Sequence, residues 1–256
     1  MIDLHCHVLA GIDDGPETIE GSLALARAAA RAGVRTLVAT PHVSSHYRNE
    51  PDTIVALVDE LSGLLADAGV AIEVRAGAEV AMTRVAEIEP AELARLRLGG
   101  GEWLLLEPPF ASVAPALEMI VSELQRDGNR VLLAHPERCA AFHRDPRLLA
   151  SLVRGGALTS ITAGSLVGRF GNTVRRFALQ LTRDGLVHNV TSDAHDLSGR
   201  APGLREEIAE AGLAPLTEWL TEAVPAAILD GREIPARPAV ENLGVARQGR
   251  WRLRRA

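Results

Sequence analysis

Histidines and carboxylates recur in this chain at one kind of place, the end of a short apolar run. His5 and His7 close Met1-Ile2-Asp3-Leu4, His42 follows Ala39-Thr40-Pro41, and Glu79 follows Arg75-Ala76-Gly77-Ala78. Glu107 ends Trp103 to Leu106, His135 ends Val131 to Ala134, and Asp193 with His195 follows Val190-Thr191-Ser192. A lone histidine at such a position is ordinarily a satisfied structural residue. The whole set is hard to explain by packing, because buried anions gathered without compensating charge repel one another. Divalent cations supply that charge. Nitrogen and oxygen donors without an essential thiolate suit Mn²⁺, Fe²⁺ or Zn²⁺. Two or three such ions close together suit phosphoryl transfer, since they make hydroxide from water and neutralise phosphate oxygens.

The runs that carry these residues read as strands. With Ile2 to Leu4 they are Arg35 to Ala39, Ala71 to Ala76, Trp103 to Leu106, Arg130 to Ala134, Ala157 to Thr162 and Leu186 to Thr191, seven in all. Segments of helical period lie between them, clearest at Ile54, Leu57, Val58, Leu61, Leu64 and Ala68, which share one helix face. Pro or Asn before each segment and Gly after it mark the helix limits: Pro16 and Gly33, Pro51 and Gly69, Pro115 and Gly128, Pro146 and Gly155, Asn172 and Gly185. Repeated β-then-α units with continuously apolar strands predict a parallel sheet covered by helices, closed as a barrel or open and doubly wound. No dinucleotide-type glycine fingerprint follows the first strand, which favours the barrel. In a parallel α/β barrel all strand C-terminal ends lie on one face, so the polar residues would meet in one cup.

Composition bounds the rest. A chain of 256 residues, 47% hydrophobic, buries a full core and fits a single domain. Aromatics are only 3%, so that core is mainly Leu, Val, Ile and Ala. A net charge of -6 gives no reason to expect nucleic acid or an anionic membrane as partner. No run approaches the roughly 20 apolar residues of a membrane span, and no signal peptide precedes the first strand, so a cytoplasmic location is expected. Cys6 and Cys139 are read as free thiols in a reducing compartment. The domain is expected over residues 1–246, with 247–256 a basic, solvated tail.

Met1-Ile2-Asp3-Leu4-His5-Cys6-His7, Gly11-Ile12-Asp13-Asp14-Gly15-Pro16 and Thr40-Pro41-His42 together resemble the polymerase and histidinol phosphatase superfamily. Gly77-Ala78-Glu79, Leu106-Glu107, Ala134-His135-Pro136-Glu137-Arg138 and Ser192-Asp193-Ala194-His195 with Arg200 narrow the likeness. They resemble the bacterial manganese-dependent protein-tyrosine phosphatases of capsule and exopolysaccharide systems. The resemblance, which runs to about Arg200, implies a distorted (β/α)7 barrel with three divalent metals, Mn²⁺ by preference. It implies that His5, His7, Glu79 and Asp193 hold the first, that Glu79 as a bridge, Glu107 and His135 hold the second, and that Asp14, His42 and His195 hold the third. Arg138 and Arg200 match phosphate-binding arginines, and with Asp193 and His195 they make the expected catalytic set. The implied substrate is a phosphotyrosine protein, with a cognate bacterial tyrosine kinase as partner. Two positions depart from the pattern: Cys6 stands where a small hydroxyl residue is expected, and Val224-Pro225 where Asn-Pro is common.

Other hydrolases fit less well. A cysteine-based phosphatase needs a longer phosphate loop than Cys139 to Arg144 with four residues between, and Cys6 has no Arg nearby. An amidohydrolase-type site usually uses a carboxylated Lys, and none of the 27 basic residues is Lys. A small-molecule phosphatase of the same superfamily, such as one acting on histidinol phosphate, would use the same ligands. The Asp13-Asp14-Gly15-Pro16 loop, the Glu79 and Glu107 pair and Arg200 favour the tyrosine phosphatase. A metal-binding regulator without catalysis would be expected to lack ligands or phosphate arginines, and here every such position is filled.

Overall fold

The computed structural model describes residues 1–240, so the basic end expected at 247–256 and the boundary at 246 lie outside the described residues. Nine short strands alternate with helices: β1 (Ile2–Cys6), β2 (Thr36–Ala39), β3 (His42–Val43), β4 (Glu73–Ala76), β5 (Glu79–Ala81), β6 (Trp103–Glu107), β7 (Arg130–Ala134), β8 (Leu158–Thr162) and β9 (Asn189–Thr191). All pairings between them are parallel. They form two sheets, ordered β1-β2-β4 and β3-β5-β6-β7-β8-β9.

The nine arise from the expected seven because two runs break. Thr36–Ala39 stops at Thr40-Pro41, where the missing N–H of Pro41 interrupts the ladder, and the chain resumes at His42 in the other sheet. Glu73–Ala76 stops at Gly77-Ala78. A Cβ on Gly77 would stand 2.9 Å from Val38 Cγ1 and 3.1 Å from Leu98 Cδ2, so glycine lets the chain pass this close to both side chains. Beyond the breaks His42 and Glu79 become register partners. No continuous ladder closes the strands into a ring. The β1 and β9 ends are linked by an isolated parallel bridge between Cys6 and Ala194, with His7 N donating to Ala194 O and Asp193 N to His5 O, both at 2.9 Å.

Helices cover the sheets by their apolar stripes. The helix Pro51–Asp67 buries Ile54, Val58 and Leu61 of the expected stripe, while Leu57 and Leu64 are half-buried, Ala68 is exposed past the helix end and Leu65 is buried in the last turns instead. The helix expected from Pro16 instead begins at Ile19, because the Thr18 side chain accepts from Gly21 N and supplies the N-cap. Leu105, Leu106, Val131, Leu132, Leu133 and Ile161 on the inner strands are fully buried, the pattern of parallel strands enclosed on both faces. Val224, the departure noted above, is buried at the start of the helix Val224–Leu229, with Pro225 next to it. Among the described residues no helix is long and apolar enough to cross a membrane.

Candidate metal centre

The strand C-terminal ends gather the expected residues. His5 lies in β1 with His7 just beyond it, His42 opens β3, Glu79 opens β5, and Glu107 ends β6. His135 follows β7 directly, while Asp193 and His195 follow β9. His135 and Asp193 are the non-glycine residues with positive φ among those described, 28° and 50°. Holding a side chain there is strained, and such strain collects where the surroundings fix a functional group.

Glu79 stands at the middle. Its Oε1 lies 2.7 Å from His135 Nε2; its Oε2 lies 3.0 Å from His42 Nδ1 and 3.3 and 3.5 Å from His5 and His7 Nε2. Asp193 Oδ1 lies 3.4 and 3.5 Å from the same two imidazole nitrogens, which themselves approach to 3.1 Å. Asp14, 44% exposed at the mouth, reaches His195 Nε2 at 3.2 Å and His42 Nε2 at 3.5 Å. Glu107 is farther off, 4.0 Å from His135. Donor atoms come within 4.8 Å of one another in four groupings: His7, Asp14, His42 and His195; His5, His7 and Asp193; His5, Glu79 and His135; His42, Glu79 and Glu107. Together these take in every ligand expected from the sequence; His7 groups with His5 and Asp193 as expected and also with Asp14, and Glu107 groups with His42 rather than His135.

Charge in the cup is finely balanced. The neighbouring imidazoles hold Glu79 well below the carboxylate range against the opposing effect of burial, and Asp193 is lowered in the same way with Arg200 contributing. Asp14 is lowered by its bond to His195. Glu107 is pushed up to about 7 by burial and the charge of Glu79. Burial pulls His7 down, but its bonds to Asp13 and Glu79 outweigh it and raise the imidazole to about 10. Burial lowers His135 and His195. Two buried oxygens in the cup, Glu79 Oε2 and Asp193 Oδ1, make no well-formed hydrogen bond and face the His5 and His7 nitrogens at 3.3 to 3.5 Å. Facing, unsatisfied donor atoms of this kind fit cations, which would sit among them and relieve the repulsion.

Both expected arginines reach the cup, by way of Asp193. Arg138, ending a 3₁₀ turn at Pro136–Arg138, donates from Nη1 to Asp193 Oδ2 at 2.7 Å, and Arg200 Nη2 forms an ion pair with the same oxygen at 2.5 Å. Arg200 is delivered by a bend in which Asp196 Oδ1 accepts from Ser198, Gly199 and Arg200 backbone N–H groups. Its buried Nε has no partner. Both cysteines are buried, and burial pushes each thiol up, so neither is a ready thiolate.

Supporting residues were less visible in the sequence. Asp13, adjacent to Asp14, points inward: Oδ2 accepts from His7 Nδ1 at 2.7 Å and His42 N at 3.1 Å, while Oδ1 accepts from Gly15 N at 2.9 Å. Holding the proton on His7 Nδ1 turns Nε2 toward the cup as a free donor atom. Gly15 is required beside it, since a Cβ there would stand 2.3 Å from His7 O. Asp3 is buried behind β1, accepting from His5 N and Ser192 N, and burial pushes it up to about 6. Glu137 is buried too, accepting from Ser165 Oγ at 2.6 Å and Thr162 N at 3.0 Å.

A family model described as capsular polysaccharide synthesis, CpsB/CapC, matches residues 1–211. The chain is 38% identical over 201 residues to the tyrosine-protein phosphatase YwqE of Bacillus subtilis (strain 168), spanning 78% of this chain and 79% of that protein. It is 32% identical over 203 residues to the putative tyrosine-protein phosphatase CapC of Staphylococcus aureus, with the same shares covered. A crystal structure from work on YwqE and Streptococcus pneumoniae CpsB, described as unique metal-dependent tyrosine phosphatases, matches with a TM-score of 0.81 and 33% identity. It covers 94% of this chain and 100% of that one. A β-aspartyl dipeptidase from Fervidobacterium islandicum, at 12% identity and a TM-score of 0.55 over 89% of this chain and 72% of its own, shares the fold alone. By the span of the family match and by its identity to YwqE and CapC, the chain belongs to the CpsB/CapC family of capsular polysaccharide synthesis proteins.

Proposed function

We propose that this chain is a metal-dependent protein-tyrosine phosphatase serving capsular or extracellular polysaccharide synthesis. The observation that carries this reading is the cup in which the buried oxygens Glu79 Oε2 and Asp193 Oδ1 face the ring nitrogens of His5 and His7 without a well-formed hydrogen bond, bordered by two guanidinium groups, in a chain of this family. His5, His7, Glu79 and Asp193 would hold one cation. Glu79 as a bridge, Glu107 and His135 would hold a second, and Asp14, His42 and His195 a third. When bound, such ions supply a deprotonated water and neutralise charge on the ester oxygens. Mn²⁺ is the preferred ion. The strand order, with its breaks at Thr40-Pro41 and Gly77-Ala78 and its bridge from β1 to the end of β9, supports a distorted seven-stranded barrel, in a single domain taken to run to residue 246.

The chain's own groups do the positioning. Arg138 and Arg200 share Asp193 Oδ2 and keep further N–H groups free to take phosphate oxygens. Asp193 is placed to couple this clamp to the cation site, since its other oxygen faces His5 and His7. His195, bonded to Asp14 at the mouth, closes the cup on the substrate side. The expected substrate is a phosphotyrosine segment of a protein, a cognate tyrosine kinase by family likeness. The two buried free thiols suit a reducing, cytoplasmic setting.

The test is hydrolysis of a phosphotyrosine peptide beside histidinol phosphate, with Mn²⁺ and after exhaustive chelation. Activity on the peptide that vanishes with chelator and returns with Mn²⁺ is expected. Full activity in chelator, or a marked preference for histidinol phosphate, would overturn this reading.

A further inference from the structure

The cup accounts for the phosphate end of a substrate and leaves open how its organic part is chosen. Phe and Tyr are scarce, four and one in the chain. Phe142 and Phe177 are buried in the core. The other three all stand against cup residues. Tyr47 stacks on His42, with ring centroids 5.8 Å apart and 9° between planes. The Arg138 guanidinium lies 4.5 Å from the Phe170 ring centre and 5.2 Å from that of Phe110. Phe110 in turn lies nearly parallel to His135, at 5.6 Å and 15°.

Phe110 is 51% exposed, an unusual state for a phenyl ring in a chain so poor in them. It stands three residues past Glu107, after Pro108-Pro109, and the Cys139 thiol donates to Pro109 O at 3.2 Å, fixing the segment. Val113 on the same segment and Leu197, two residues past His195, are exposed as well. Phe110, against both Arg138 and His135 yet half exposed, is therefore within reach of the organic part of a phosphate ester bound by Arg138.

We propose that Phe110 is the specificity-determining residue of this site, supporting the aromatic ring of an aryl phosphate monoester. This rests on the phosphatase reading above and adds to it the source of aryl preference. Aromatic pairs in offset or edge-to-face contact gain beyond their buried area, so loss of the ring is worth on the order of threefold to thirtyfold in affinity for an aryl ligand. An alkyl phosphate has no ring to place there.

The experiment titrates phenylphosphonate and methylphosphonate, which are not hydrolysed, into the Mn²⁺-loaded full chain by calorimetry, for wild type, Phe110→Ala and Phe110→Trp, with metal content measured in each. Wild type is expected to favour the phenyl ligand, Phe110→Ala to cut the phenyl-to-methyl affinity ratio threefold to thirtyfold, and Phe110→Trp to retain it within about threefold. An unchanged ratio in Phe110→Ala, or equal weakening of both ligands, overturns the proposal. Metal-loaded wild type that binds neither phosphonate overturns the phosphate reading, and this proposal with it.

Discussion

Replacing Asp13 by Ala removes a buried carboxylate that accepts three hydrogen bonds, from His7 Nδ1, His42 N and Gly15 N. The bond to His7 is charge-assisted, worth about 1.5 to 3 kcal/mol. It fixes which nitrogen of His7 faces the cup, and outer partners of this kind typically change metal affinity 10- to 100-fold, about 1.4 to 2.8 kcal/mol. The two figures agree. With the two backbone bonds worth about 1 kcal/mol each beside it, the metal-free fold should also lose about 3.5 to 5 kcal/mol. Asp13→Asn is the informative companion. If its oxygen faces His7 and His42, its amide must face Gly15 N–H, donor against donor, so it keeps the orientation of His7 and loses one backbone bond. Mn²⁺ affinity, measured by competition with a chelating dye, should therefore fall 10- to 100-fold in Asp13→Ala and less than about tenfold in Asp13→Asn, with thermal unfolding reporting stability alongside. Mn²⁺ affinity within about twofold of wild type in a folded Asp13→Ala protein would refute the orienting role.

Glu79→Gln should lower bound metal and turnover together, because Glu79 lies among His5, His7, His42 and His135; elemental analysis with a phosphatase assay checks it. Cys6→Ser should do neither, and loss of activity with metal retained would make Cys6 a nucleophile after all. Arg138→Lys and Arg200→Lys should keep metal and lose on the order of tenfold to a thousandfold in kcat/KM, since an ammonium cannot reproduce the planar fork; near-normal kinetics in both would remove the clamp. Burial pushes Glu137 up to about 7 from 4.5, so the stability it favours is present below 4.5 and is lost as pH rises through about 7. The difference is worth about 3 kcal/mol. Glu137→Gln keeps an oxygen for Thr162 and Ser165 and should flatten the decline in unfolding temperature between pH 5 and about 8; an unchanged pH slope would count against it.

The strand ends were legible because a polar residue closing an apolar run has few other reasons to be there. His5, Glu107 and His135 needed only the period of the preceding strand, and the fold followed from the alternation of such runs with helical segments. The neighbours Asp13 and Asp14 were not separable. Both are acidic and both lie in one glycine-flanked loop, and only the chain's turn at Gly15 sends one inward and the other to the mouth. The breaks at Thr40-Pro41 and Gly77-Ala78 were hidden for a different reason, since there the chain passes from one sheet to the other to pair with strands distant in sequence. The arginines' partner was unreadable in the same way. Glu137 and Asp196 are their neighbours in sequence, yet both guanidinium groups reach Asp193, which is 55 residues from Arg138.

The junction between β1 and β9 has a consequence for the life of the protein outside catalysis. The two strands belong to different sheets and meet through a short bridge, two backbone bonds and the carboxylate of Asp3. His5 and His7 stand on one side of this seam, Asp193 and His195 on the other. Ions held from both sides would act as rivets, so the affinity that loads the proposed site would also hold β1 and β9 together. Survival of the chain would then be tied to the supply of metal: a starved cell would carry a molecule that gapes at the seam and falls first to proteases, and the amount of enzyme would follow the metal without any regulator to measure it.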